Sequence, residues 1–222
     1  MAGRKGTAIL LMVVSAGLLY ATIPQAIGEA EALLGALRPA DQRSMTIAGG
    51  DLVPASSFTS KDEYFRSCLD LPASLEGLLR PPAERTRLLE ACRDSARTVQ
   101  REMPIYALPY LVEANASAAL GEPFAEALAN ARRLAPHVHW QADRRVILSR
   151  SQLARLDDAG RAGFESDLAE LFGSAEGRRV LAMHFLRWPD LRERLTNMAE
   201  SMPDEVQRDF LARVKQQSGG AS

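Results

Sequence analysis

His137-Val138-His139 is the tightest grouping of metal-ligating side chains in a 222-residue sequence that holds only 3 His and 2 Cys. Alternating imidazoles can ligate a metal from a strand or loop, but a stable site needs a third and a fourth ligand. The remaining histidine, His184, falls one turn after Val180 on an apolar stripe, and no carboxylate-rich motif joins the pair. The sequence therefore nominates no metal and no cofactor, and reads the pair as imidazoles on a solvated turn after Pro136. Cys68 and Cys92 have neither a His nor a second Cys at ligand spacing. They lie on consecutive predicted helices, where two thiols in an oxidising compartment commonly pair; two buried free thiols or an exposed pair are the alternatives. No nucleophile elbow, phosphate-binding loop or dinucleotide glycine pattern occurs. Asp157-Asp158 reads as a helix-start signal in place of an acid/base dyad. No catalytic residue can be named, and an enzyme is not expected.

Arginine supplies nearly all the basic charge, because Lys occurs only at positions 5, 61 and 215. Guanidinium groups grip carboxylates, phosphates or sugar acids with paired hydrogen bonds, so Arg144, Arg145 and Arg150 could form a ligand-facing row. The plainer reading is Arg–Glu pairing on solvated helix faces, which contributes little. The whole chain carries 27 Lys+Arg against 28 Asp+Glu, a net charge of -1. That balance lacks the basic excess of a nucleic-acid binder, and no nucleic-acid partner is expected. With 46% hydrophobic and 25% charged residues the chain is too apolar for disorder and too mixed for several membrane spans.

The elements that must position these groups begin with an apolar N-terminus. After Arg4 and Lys5, nothing from Gly6 to Gly28 is charged. A helix of that length, at about 1.5 Å per residue, matches the roughly 30 Å hydrocarbon core. Residues 1–28 are thus expected to be a cytoplasmic tip and a single transmembrane anchor. Arg4 and Lys5 keep the N-terminus inside, leaving the remainder in the periplasm of a bacterial inner-membrane protein. A cleaved signal peptide is the rival reading, but residues 21–27 lack an Ala-x-Ala-like site. Residues 29–60 read as a short helical extension and a linker marked by Gly49-Gly50, Pro54 and Ser56-Ser57, in which Met45-Thr46-Ile47 could form a brief strand.

Residues 61–217 read as helix after helix. Ser60 suits an N-cap for Lys61 to Leu69, Pro81-Pro82 opens a helix carrying Leu88, Leu89, Cys92, Ala96 and Val99, and Phe164, Leu168, Leu171 and Phe172 make an i, i+4, i+7, i+8 stripe. Residues 218–222 should form a flexible tail. The fold class is all-α behind the transmembrane helix. The stretch from Tyr106 to Pro136 has the anatomy of one tetratricopeptide (TPR) unit: an aromatic/Leu helix, the Gly121 turn, an Ala-rich helix and a closing Pro, about three residues short of the roughly 34-residue repeat. Tyr106, Tyr110 and Trp140, with Arg144 and Arg145 just beyond, have the composition of a partner-binding anchor.

The run Tyr110-Leu111, Gly121, Ala127, Leu134-Ala135-Pro136, Trp140, Arg145, Phe164, Asp167-Leu168, Pro189, Leu191-Arg192 and Leu195 resembles bacterial single-pass, TPR-like exported proteins of surface-polysaccharide systems. Those proteins accompany O-antigen-ligase-type and exopolysaccharide export machinery. The resemblance covers residues 104–198 and rests on scaffold positions. It implies an envelope accessory role: a membrane-anchored helical scaffold that binds a polysaccharide polymerase, ligase or export component. A glycan-binding or glycan-processing subunit is the alternative.

Overall fold

The computed structural model describes the backbone of residues 2–50 and 52–219, without the side chains of residues 2–12, 16, 18, 19, 21, 33, 36, 40 and 76. Every element among the described residues is helical. They divide into two compact units, Met1–Thr98 and Val99–Ser222.

The first unit holds α1 (Ala2–Ala36), α2 (Ala40–Ala48), α3 (Phe58–Asp70), a 3-10 turn at Leu71–Ala73, α4 (Leu75–Leu79) and most of α5 (Pro82–Glu102). The expected transmembrane helix is corrected here: among the described residues no helix is long and apolar enough to cross a membrane. α1 has the length of a span, and its described side chains beyond Tyr20 include Thr22, Pro24, Gln25, Glu29 and Glu31. The side chains of Ile9 to Met12, Leu18 and Leu19, which motivated the expectation, lie outside those described.

Residues 40–48 are helical where the sequence suggested a linker with a brief strand. Ile47 and Ser44 of α2 are buried, so tertiary packing overrides a weak local pattern. The cap of α3 is Ser57, three residues ahead of the expected Ser60; its hydroxyl accepts from the Ser60 amide at 3.1 Å. Glu29 of α1 holds the same corner, accepting from the Ser57 amide and from the hydroxyls of Ser56, Ser57 and Ser60. These hydrogen bonds, that from the Ser57 hydroxyl foremost, draw its pKa down to about 2. Cys68 of α3 and Cys92 of α5 form a disulfide with Cα atoms 5.7 Å apart, both residues buried. Beside it the buried Tyr64 hydroxyl lies 3.0 Å from Ser95 Oγ, and burial raises the phenol's pKa.

The second unit holds the end of α5, then α6 (Ala107–Ala119), α7 (Ala125–Leu134), α8 (His139–Ser151), α9 (Asp158–Phe172), α10 (Ala175–Arg187), α11 (Arg192–Glu200) and α12 (Asp204–Gly219). α12 extends through Ser218 and Gly219, and residues 220–222 of the expected tail lie outside the described residues. α6 and α7 pack as a helical pair whose turn contains Gly121 at φ +80°, a left-handed conformation that disfavours a Cβ. α8 pairs with α9, and α10 with both α9 and α12. Asp157 and Ser174 cap α9 and α10, accepting from the Gly160 and Gly177 amides at 2.7 and 2.9 Å. One apolar cluster joins Ala114 and Ala118 of α6 to Leu128 of α7 and Leu148 of α8; a second joins Val146, Phe164, Leu168, Leu181, Leu195 and Phe210. Both faces of α8 are therefore engaged, which accounts for its lack of a clean amphipathic stripe.

Candidate functional site

Asp167, nearly buried on α9, draws arginines from two neighbouring helices. Arg132 of α7 donates to its Oδ2 through Nε at 3.0 Å and Nη2 at 2.8 Å. Arg145 of α8 donates to Oδ1 through Nε at 2.9 Å, holds Nη2 2.8 Å from the same oxygen, and donates from Nη1 to the Ala135 carbonyl at 3.2 Å. The Arg145 side chain is fully buried. Arg132 can cross α9 because residue 163 is glycine: a Cβ there would stand 1.9 Å from Arg132 Nη1. This Arg132–Asp167–Arg145 triad ties α7, α8 and α9 together.

The structure separates the five residues nominated as partner-binding. Arg145 belongs to the interior triad, so it is corrected from a partner-facing position to a core link; its burial follows from its place on the α8 face that meets α9. Arg144, its neighbour, is half-buried, as are Trp140 and Tyr110. The Tyr110 hydroxyl donates to the Pro104 carbonyl at 3.3 Å, and Tyr106 is buried at the N-terminus of α6. Arg144, Trp140 and Tyr110 thus retain accessible surface, while Tyr106 and Arg145 are buried.

Beyond that pair of helices, Arg150 of α8 makes two parallel hydrogen bonds to Asp190, at 2.8 and 2.7 Å, and lies 4.5 Å over the Trp188 ring. The hydrogen bonds from Arg150 hold the Asp190 carboxyl below its ordinary pKa. The His184 ring stacks on Trp188 with centroids 4.1 Å apart, and its Nε2 lies 2.6 Å from Asp143 Oδ1. This chain of contacts links α8 to α10 and to the 3-10 turn Pro189–Leu191. Beside it an open groove of about 560 Å³ is lined by Glu165, Asp190, Glu193, Arg194, Asn197 and Ser201. Arg194 pairs with Glu165 and lies over Phe164 at 5.4 Å.

His137 Nδ1 and His139 Nε2 face the two oxygens of Glu170, at 3.0 and 3.6 Å. That pairing secures the turn after α7 to α9. Among the described residues no group of three or more His, Cys, Asp or Glu side chains is placed to hold a metal ion. Sequence reasoning treated Asp167 as a scaffold position and did not single out Asp143 or Glu193. A lone acid on a helix gives no signal of its partners, because Arg132 and Arg145 are 35 and 22 residues away in the chain. No family model, curated protein or solved structure matches the chain.

Proposed function

We propose that the chain is a helical scaffold working outside the cytoplasm, in a bacterial periplasm, where its second unit binds a protein component of surface-polysaccharide synthesis or export. The observation that carries this reading is the stack of α6 to α9 locked by the Arg132–Asp167–Arg145 triad, with Tyr110, Trp140 and Arg144 left partly accessible. Packed helix pairs provide rigid surfaces for partner segments, and half-exposed aromatic and Arg side chains supply the anchoring contacts. The buried Cys68–Cys92 disulfide supports an oxidising compartment. The resemblance over residues 104–198 supports the link to surface polysaccharide.

The test is a photoreactive side chain placed at position 144 in cells. The expected adduct is a polysaccharide polymerase, ligase or export protein; adducts confined to unrelated abundant envelope proteins would overturn the reading. The groove beside α11 favours the second reading, a glycan-binding subunit. Glu193, Asn197 and Ser201 recur at intervals of four residues and offer a carboxylate, an amide and a hydroxyl suited to sugar hydroxyls. Titration with surface-polysaccharide fragments, lost in Glu193→Gln, would favour it; glycan turnover by the purified chain would replace both readings with an enzyme.

A further inference from the structure

Of the 17 large apolar side chains that stand exposed among the described residues, 13 belong to the first unit. The densest group is α4, a five-residue helix on which Leu75, Leu78 and Leu79 are 75%, 55% and 77% exposed. Contiguous apolar exposure of this kind marks an interaction surface. Arg80 follows directly. Its Nη2 donates to the Asp41 carbonyl at 2.8 Å, which brings the end of α4 against the start of α2 and close to Leu37 and Arg38, both exposed.

Arg80 also lines a cavity of about 220 Å³ whose apolar floor is Met45, Ala48 and Leu88 and whose rim carries Arg87. That volume is below the roughly 300 Å³ of a pocket that encloses a drug-sized ligand, so it suits the end of an acyl chain. Glu84, the acid of this lining, is already held by Arg80 at 3.3 Å. Arg38 and Arg87 are exposed, and neither guanidinium has an acidic partner among the described residues.

We propose that α4, the end of α1 and the α2–α5 cavity together form a docking surface for an anionic lipid bilayer: the α4 leucines enter the acyl boundary and Arg38 and Arg87 take lipid phosphates. Exposed Leu beside exposed Arg matches the two halves of an anionic lipid, and combined apolar and electrostatic attraction is what holds proteins at such a surface. α4 gathers three exposed leucines within five residues, which a deformable lipid boundary accommodates. A second copy docked face to face would set these arginines against their own equivalents. This surface lies wholly in the first unit and is independent of the partner-binding reading of the second.

The test uses the full chain with Leu79→Cys labelled by an environment-sensitive fluorophore; Cys68 and Cys92 are already bonded to one another, so position 79 carries the label. Vesicles of phosphatidylcholine mixed with phosphatidylglycerol should shift the emission to the blue, more weakly at high salt, whereas vesicles of phosphatidylcholine alone should not. A label at Leu211→Cys, on an exposed site of the second unit, should stay unshifted, which separates local docking from any attachment through α1. Arg87→Ala should weaken the vesicle-induced shift by about 5-fold in lipid concentration. An equal shift with both vesicle types, or sedimentation with vesicles while the label at 79 remains unshifted, would overturn the proposal. A shift that grows with protein concentration in the absence of vesicles would assign the surface to a second copy.

Discussion

Replacing Asp167 with Ala would leave two guanidinium groups facing each other across a closed interior. Arg145 is fully buried, and it would lose both its Nε hydrogen bond and its charge partner. Arg132 is better placed, since its side chain retains 16% exposure and can turn toward water. Removing one member of a buried ion pair costs about 3–5 kcal/mol, because the remaining charge is uncompensated. With a denaturant slope of about 2 kcal/mol/M in urea, the midpoint should fall by roughly 1.5–2.5 M. The chain has 2 Trp, Trp140 and Trp188, and both lie in the second unit, so their fluorescence during urea unfolding reports that unit directly. Replacing the pair together, as Arg145→Met with Asp167→Leu, should recover much of the loss, because the buried Arg145 charge goes with its partner and the remaining Arg132 can turn toward water. A midpoint change below about 0.5 M for Asp167→Ala, equivalent to about 1 kcal/mol, would refute the triad as the link between these helices.

Gly163→Ala should act through the same triad by pushing Arg132 off Asp167, with a loss of about 1–3 kcal/mol seen in the same urea assay; an unchanged midpoint would mean that Arg132 contributes nothing. Cys68→Ser with Cys92→Ser opens a link spanning 24 residues of sequence, and the chain-entropy relation puts the loss at about 3.4 kcal/mol. Reductant with mass analysis checks the bond itself: two thiols alkylated in envelope-isolated protein without reductant would reject it. Glu29 has its pKa lowered from 4.5 to about 2, so its stabilising contribution is complete above its ordinary range and is lost as pH falls from there through about 2. Glu29→Gln should flatten that acid limb, measured by proteolysis or circular dichroism; an identical acid profile in the variant would reject the Glu29 clamp.

Local sequence chemistry determined most of the helices in the second unit, because 3.6-residue apolar stripes, Pro and Gly punctuation and short-range caps act within a few residues. Phe164, Leu168, Leu171 and Phe172 fall on the predicted stripe and are all buried, and Gly121 sits in the turn expected of it. The Cys68–Cys92 bond was legible only as one of the alternatives, since two cysteines allow one intramolecular pairing or two free thiols, and the 5.7 Å approach of their Cα atoms decided it. Tertiary structure alone decided that Arg145 is a core residue and Arg144 is not. Adjacent arginines look alike in sequence, but successive helical residues point about 100° apart, and the one directed at α9 meets Asp167. It also decided that residues 40–48 are helical, since burial of Ile47 and Ser44 supplies what their own pattern lacks. The exposed leucines of α4 belong to the same class. Three apolar residues in a five-residue segment look like core, and only the packing of α4 against α2 and the 3-10 turn Leu71–Ala73 leaves them at the surface.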